Sequence, residues 1–391
     1  MWVWVCRCGF ALCVLAILYV IAGYPLWLAW RTRGASSRTP LRVTGASEPT
    51  VTILLPVFNG AAWVDQKLES ILGLDYPREK IQTIVISDGS TDQTVEKAGR
   101  YSERGVEVIE IAHRGKPAAI NAGLERARNE ILFFTDIRQP LEPHSLRYLT
   151  ACFADPQVGS VSGELMIRRG ETQQEESIGL YWRYEKWLRK RESEIDSVMG
   201  ATGAIYATRR ELTQPLPEDL LLDDVYVPLL AFFRGYRVIF EERAIAWDDP
   251  TSLTTEFRRK VRTQAGVYQL MRYLPLLLRR ENRMRFAFLS HKGGRLALPF
   301  LFLGLLIFSF GLPPLLARLS FGAQGCFYGL ALADLGVPEK SRLKRITSPA
   351  RTFVTLMAAA AAACSILFRN SRSFWMTATG SAAHPQAGGP N

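Results

Sequence analysis

Cysteine is scarce outside the apolar parts of the chain. Of six cysteines in 391 residues, Cys6, Cys8, Cys13, Cys326 and Cys364 lie in or beside apolar segments, and only Cys152 sits in the polar middle. That excludes a disulfide framework and suits a reducing compartment. No zinc-ligand spacing and no aromatic-basic RNA-binding motif accompanies the net charge of +11, so nucleic acid is not an expected partner. No internal repeat is present. Charge itself is missing from residues 9–30, 296–317 and 352–368, and from the shorter run 319–333. A spanning helix needs about 20 apolar residues. The first two stretches satisfy that, the third is marginal, and the fourth reads as a tilted span or a re-entrant helix. The first run exceeds the usual signal-peptide core of about 7–15 residues and no small-x-small site follows, so it reads as a retained anchor.

The basic residues gather beside these runs. Arg31, Arg33, Arg38 and Arg42 follow the first, and a second cluster extends from Arg258, Arg259, Lys260 and Arg262 to Lys292 and Arg295. This is the pattern of a cytosolic face against anionic lipid. Lys340, Arg342, Lys344 and Arg345 favour another inner-side loop. The expected organisation is an anchor over 1–30, a linker over 31–49, a catalytic domain over 50–270, an amphipathic basic interface segment over 271–295, membrane helices over 296–370 and a tail over 371–391. An integral protein of a bacterial inner membrane is compatible with this layout.

From residue 51 the pattern alternates strand and helix. Strands are expected over 51–55, 81–87, 106–111, 130–134 and 158–163. Helices are expected over 61–72, 91–101, 116–128 and 225–233. Such alternation predicts an α/β, doubly wound sheet that binds ligands at the carboxyl ends of its strands. Polar clusters fall at or just after those ends.

Pro56-Val-Phe-Asn59 ends the first strand, as a base-binding turn or as a helix cap. Asp88, in Ser87-Asp-Gly-Ser-Thr-Asp92, can accept hydrogen bonds from a uracil or ribose edge; it also suits an ordinary Asp-Gly turn. Lys116 opens a helix, where the dipole disfavours it unless an anion lies nearby. Asp136, in Thr135-Asp-Ile-Arg138, can face a divalent cation bridging a diphosphate, or cap a helix. Asp223-Asp224 between apolar flanks is costly unless used or paired. One of the two can accept a proton from an acceptor hydroxyl, or both can start a helix. Arg259 and Arg262, three apart on a helix, share one face and can clamp phosphates or meet lipid headgroups.

In this order the motifs resemble family 2 glycosyltransferases with a GT-A fold, and more closely the membrane-integrated branch that includes cellulose, hyaluronan and poly-N-acetylglucosamine synthases. The segments are Pro-Val-Phe-Asn59, Ser-Asp-Gly-Ser-Thr-Asp92, Gly-Lys116 with Asn121-Ala-Gly123, Thr-Asp136, Gly200-Ala-Thr-Gly-Ala-Ile-Tyr206, Asp223-Asp224 and Arg259-x-x-Arg262. The resemblance implies a doubly wound mixed sheet between transmembrane helices. It implies that Pro56, Asn59, Asp88, Lys116, Asp136, Arg259 and Arg262 bind a UDP-sugar, beside which Arg138 is a candidate ligand by its own charge. Thr202, Gly203, Ala204 and Asp223 would line the acceptor site, and Asp224 would be the base of an inverting transfer. Asp136 would face Mg2+ or Mn2+.

Three positions depart from the family pattern. Arg138 replaces the second aspartate of Asp-x-Asp, which puts metal ligation in doubt and offers a direct phosphate ligand instead. Asp223 replaces a glutamate. Arg259 and Thr263 replace the Gln and Trp of Gln-x-x-Arg-Trp, which weakens the case for processive synthesis. The expected activity is transfer to a saccharide or lipid-linked acceptor at the cytosolic face, in polymer synthesis or as a single addition. The alternative is a non-catalytic nucleotide-sugar sensor or assembly partner of a polysaccharide export complex. A transporter is disfavoured by few, uncharged spans.

Overall fold

The computed structural model of the chain describes residues 1–33, 48–168, 172–371 and 374; most of the expected linker, with Arg38 and Arg42, and most of the expected tail lie outside the described residues. Seven strands form one sheet in the order β3-β2-β1-β4-β6-β5-β7. They are β1 (Val51–Val57), β2 (Ile81–Asp88), β3 (Val106–Ile111), β4 (Ile131–Phe134), β5 (Val158–Ile167), β6 (Tyr206–Arg209) and β7 (Arg237–Asp248). β1 runs parallel to β2 and β4, and β2 to β3. β6 is antiparallel to both β4 and β5, and β5 is parallel to β7, so the sheet is mixed.

Every residue of β1 is buried, as a continuous apolar run requires when both faces of a strand are covered. Successive side chains point to opposite faces. Ile53, Leu55 and Phe133 therefore join one apolar cluster, while Leu54 and Phe134 join the other. Strand order reverses between β1 and β4, which makes the carboxyl ends of that pair the switch point where α/β sheets open a ligand crevice.

β6 and β7 were not among the expected strands. β6 has only four residues, and β7 carries Glu241, Glu242 and Arg243 in mid-strand, which breaks the apolar run. The acidic pair also sits differently from expectation. The helix begins at Asp223, not Val225, so both carboxylates occupy its first turn, where the helix dipole favours negative charge.

Among the described residues, three helices are long and apolar enough to cross a membrane: Trp2–Arg31, Arg285–Ser309 and Lys344–Leu367. The uncharged run 296–317 is not one helix. It breaks between Ser309 and Pro314, around Gly311 and Pro313, and a separate helix covers Pro314–Ala333. The length needed to span comes from the other side, where the helix starts at Arg285 and carries Lys292 and Arg295. The expected interface segment 271–295 is thus divided between the end of helix Leu253–Tyr273, a short turn and the start of this span. The marginal third run gains its length by starting at Lys344, so Lys344 and Arg345 belong to a helix.

Candidate active site

Beyond the carboxyl ends of β1 and β4 lies a cleft of about 460 Å³. Pro56 and Phe58 reach it from the end of β1, and Asp136 and Arg138 from the turn after β4. Lys116 enters from the first position of helix Lys116–Arg126. Thr202, Gly203 and Ala204 come from the loop before β6, Asp223 and Asp224 from helix Asp223–Phe233, and Arg259 and Arg262 from helix Leu253–Tyr273.

Gly203 marks the centre. A methyl group added there would lie 3.0 Å from Asp136 Oδ2, 3.5 Å from Lys116 Nζ and 3.6 Å from Asp224 Oδ2. Lys116 Nζ also contacts Asp136 Oδ1 at 2.9 Å and Asp223 Oδ2 at 3.1 Å. Burial opposes a charge on this lysine, but Asp136, Asp223 and Asp224 outweigh it and hold its pKa above the usual range. They answer the unfavourable helix start. Burial works against Asp136 as an anion, and Lys116 more than compensates, holding its carboxyl below the usual range. Asp224 goes the other way. Burial and then Asp223 push it up to about 6, with Lys116 opposing.

Backbone detail fixes the loop over residues 201–204. Pro228 lies inside helix Asp223–Phe233 and has no N–H to offer the carbonyl four residues earlier. That carbonyl belongs to Asp224, and it accepts the Ala201 N–H at 2.7 Å. Gly203 N–H donates to Asp224 Oδ2 at 3.0 Å. On the other side, Thr135 Oγ1 donates to the Ala204 carbonyl at 2.7 Å, and the fully buried Lys67 donates to Thr135 Oγ1 at 2.6 Å and to the Gln139 carbonyl at 2.5 Å. Burial draws Lys67 down to about 7, against the pull of Asp136.

Asp88 and Asn59 stand apart from the cleft wall. Asp88 ends β2, to the side of the switch point, and its carboxylate accepts the N–H groups of Arg114 at 2.8 Å and Gly115 at 2.9 Å. Gly89, with φ +66°, permits the close approach of His113 that this arrangement needs. His113 in turn stacks on Phe58, ring centroids 4.2 Å apart. Asp88 thereby anchors the loop that delivers Lys116. Asn59 Oδ1 accepts the Thr91 N–H at 2.8 Å and ties the same turns together.

The sequence reading passed over Asp248. It ends β7, is 5% exposed and lies within 4 Å of both Arg138 (3.9 Å) and Arg259 (3.8 Å). The signal was a strand ending in a carboxylate, hidden because β7 itself was not recognised. Tyr181, Trp182 and Arg189 of helix Gln173–Ile195 also line the cleft.

The residues do not form a cage for a divalent cation. Such an ion takes about six oxygens, whereas among the described residues no group of three or more His, Cys, Asp or Glu side chains could hold one. Asp136 is engaged by Lys116, and Arg138 brings positive charge to the same turn. Asp136 alone would face an ion held chiefly by the donor's own phosphates.

Residues 52–215 match the family model described as glycosyl transferase family 2. The probable glycosyltransferase YdaM of Bacillus subtilis (strain 168) is 24% identical over 244 residues, 58% of this chain and 57% of its own. Poly-beta-1,6-N-acetyl-D-glucosamine synthase of Staphylococcus aureus (strain COL) is 25% identical over 233 residues, 56% of this chain and 55% of its own. The chain thus spans little more than half the length of these curated relatives. Among solved structures, a mannosyltransferase from Pyrobaculum calidifontis in complex with GDP-Man and Mn2+ superposes with a TM-score of 0.72 at 22% identity, over 92% of this chain and 99% of its own. At that identity the likeness is one of fold, the GT-A fold.

Proposed function

We propose, from the match of residues 52–215 to the glycosyl transferase family 2 model, that the chain is a membrane-bound inverting glycosyltransferase. It moves a sugar from a UDP-sugar to a hydroxyl of a saccharide or lipid-linked acceptor at the cytosolic face of a bacterial inner membrane, in exopolysaccharide synthesis. One observation carries the reading: Lys116, Asp136 and Asp224 converge on the single point over Gly203. A cation for the leaving diphosphate and a base for the nucleophile then face one reaction centre. The three apolar helices support the membrane setting, and the polysaccharide synthase relative supports the polymer class.

The chemistry follows from the charges. Asp224, pushed up to about 6, is ionised at pH 7 yet more basic than an ordinary carboxylate, as general-base catalysis favours. It takes the acceptor hydroxyl's proton as the oxygen attacks the anomeric carbon opposite the diphosphate. That bond breaks, the configuration inverts, and the departing negative charge meets Lys116, Arg138, Arg259 and Arg262. Mg2+ or Mn2+, when bound through the phosphates beside Asp136, would add positive charge to the leaving group; no step here is routed through it. A sensor without turnover has no use for a carboxylate tuned as a base, which favours the enzyme.

The test is UDP release by the full chain in nanodiscs over a panel of UDP-sugars, with product mass measured. Asp224→Asn is expected to lower kcat by about 100-fold or more while UDP affinity stays within about threefold. Unchanged turnover in that variant removes Asp224 from the mechanism, and UDP binding with no turnover on any donor restores the sensor.

A further inference from the structure

The cleft continues beyond the base. It extends between helices Gln173–Ile195 and Leu253–Tyr273 to the span Arg285–Ser309, where Lys292 and Leu296 form part of its wall. Apolar side chains stand in the open at this end: Leu180 is 51% exposed, Tyr184 38%, Phe286 49% and Leu289 40%. Such a fringe beside a basic surface is what a bilayer interface covers.

The acidic groups here are already engaged. Glu185 Oε2 accepts from Arg295 Nη2 at 2.5 Å and lies 3.3 Å from His291 Nε2. Glu192 Oε1 accepts the Tyr24 hydroxyl at 2.8 Å and lies 2.8 Å from His291 Nδ1. Two cations of the cleft wall feel Glu185 and Glu192 from beyond contact distance. Among the described residues neither Lys292 nor Arg189 has a carboxylate oxygen within 4 Å of its charged nitrogens; Arg189 donates to Ser162 Oγ at 2.6 Å.

Two enclosed polar groups in the same wall are also unmatched among the described residues. The Trp182 Nε1–H has no acceptor, and Gln264, 5% exposed, has no donor for its Oε1. Buried polar atoms without partners are costly, and on a cleft wall a bound ligand or water can complete them.

We propose that this end of the cleft is a lipid-phosphate subsite: Lys292 and Arg189 hold the phosphate of a membrane-embedded acceptor, the Trp182 indole N–H donates to a phosphate oxygen, and Gln264 accepts from a neighbouring hydroxyl. The inference rests on the glycosyltransferase reading and names its acceptor class. The phosphate is the anchor, not the nucleophile. A phosphate oxygen needs no base and would bring its charge beside Asp223 and Asp224, so it belongs at the cationic end while a hydroxyl of the same molecule reaches Asp224. The lipid is a phospholipid with a hydroxylated headgroup or a polyprenyl-phosphate-linked sugar, since both carry a phosphate and a free hydroxyl.

The experiment is native mass spectrometry of the full chain in detergent, titrated separately with phosphatidylglycerol, a polyprenyl-phosphate-linked sugar and phosphate-free dioleoylglycerol. Saturable one-to-one binding is expected for one of the two phosphate lipids, which identifies the source. Lys292→Gln weakens it by about tenfold, the size expected for losing one charge-assisted contact, while Arg280→Gln, at an exposed arginine away from the cleft, leaves it within twofold. Arg189→Gln serves as the second cleft variant. Retained UDP binding shows that each variant folds. Equal binding of dioleoylglycerol, or equal effects of Lys292→Gln and Arg280→Gln, overturns the subsite. Wild-type protein that fails to bind UDP overturns the glycosyltransferase reading instead.

Discussion

At the scale of single residues, Asp224 carries the most specific expectations. Its pKa of about 6 places an acid limb in kcat: below pH 6 the rate falls about tenfold per unit, and above it the rate levels. A pH profile checks this, and no limb near 6 would exclude Asp224 as the base. The same shift has a stability sign. Between about pH 4 and 6 the folded chain holds a proton that the unfolded chain releases, so stability falls as pH rises through that window. Asp224→Asn escapes the penalty. It is expected to be more stable than wild type at pH 8 by about 1–2 kcal/mol, allowing for solvent screening, and indistinguishable at pH 4. Thermal unfolding at the two pH values reads both. Arg138 gives a second residue-scale outcome. Replacing a carboxylate by a guanidinium changes the local charge by two units, the charge of one divalent cation. Wild-type affinity for UDP is therefore expected to change less than about threefold between EDTA and Mn2+, whereas Arg138→Asp loses about tenfold in EDTA and recovers it with Mn2+. Calorimetric titration of UDP decides, and a wild type that requires Mn2+ refutes it.

Among the elements, the helix Asp223–Phe233 holds the loop over residues 201–204, the proposed acceptor loop, through an omission. Pro228 leaves the Asp224 carbonyl to Ala201. Pro228→Ala supplies an N–H that competes for it. The helix is expected to gain, since proline costs about 3 kcal/mol in an interior position, while the acceptor KM rises severalfold and the donor KM holds. Equal shifts in both constants would mean the loop is not the part affected. Much of this architecture was legible beforehand. The apolar runs of β1 to β4 and the turns after them bring Lys116, Asp136 and Arg138 to one cleft, because periodicity and strand-end chemistry are local properties, while Asp224 stands out through its acidic pair between apolar flanks. β7 was not legible, for its three mid-strand charges look like loop; Asp248 was lost with it. Nor was the true extent of the second span, since helix Arg285–Ser309 begins among basic residues that hydropathy counts against it. Asp88 illustrates a different limit: its motif was recognised, but only the tertiary arrangement turns its carboxylate onto the 114–115 backbone.

For the molecule as a whole, Tyr24 joins the first apolar helix to the catalytic unit. It is 1% exposed and donates to Glu192 at 2.8 Å, on the helix that also lines the cleft. Tyr24→Phe keeps the ring and removes the donor, leaving a buried carboxylate with one partner fewer. A loss of about 1–3 kcal/mol is expected, read as a lower Tm in detergent together with reduced turnover. An unchanged Tm would mean that this contact does not couple the anchor to the domain. The span Arg285–Ser309 draws a further consequence. Its Lys292 and Leu296 line the cleft and the rest is apolar enough to cross a membrane, so in the membrane setting proposed above one helical rod belongs to both environments. A bilayer too thin or too thick for that rod tilts it, at a cost of fractions of a kcal/mol per ångström. The tilt displaces Lys292 and Leu296 relative to the sheet, so hydrocarbon thickness becomes a physical input to catalysis, felt before any substrate arrives.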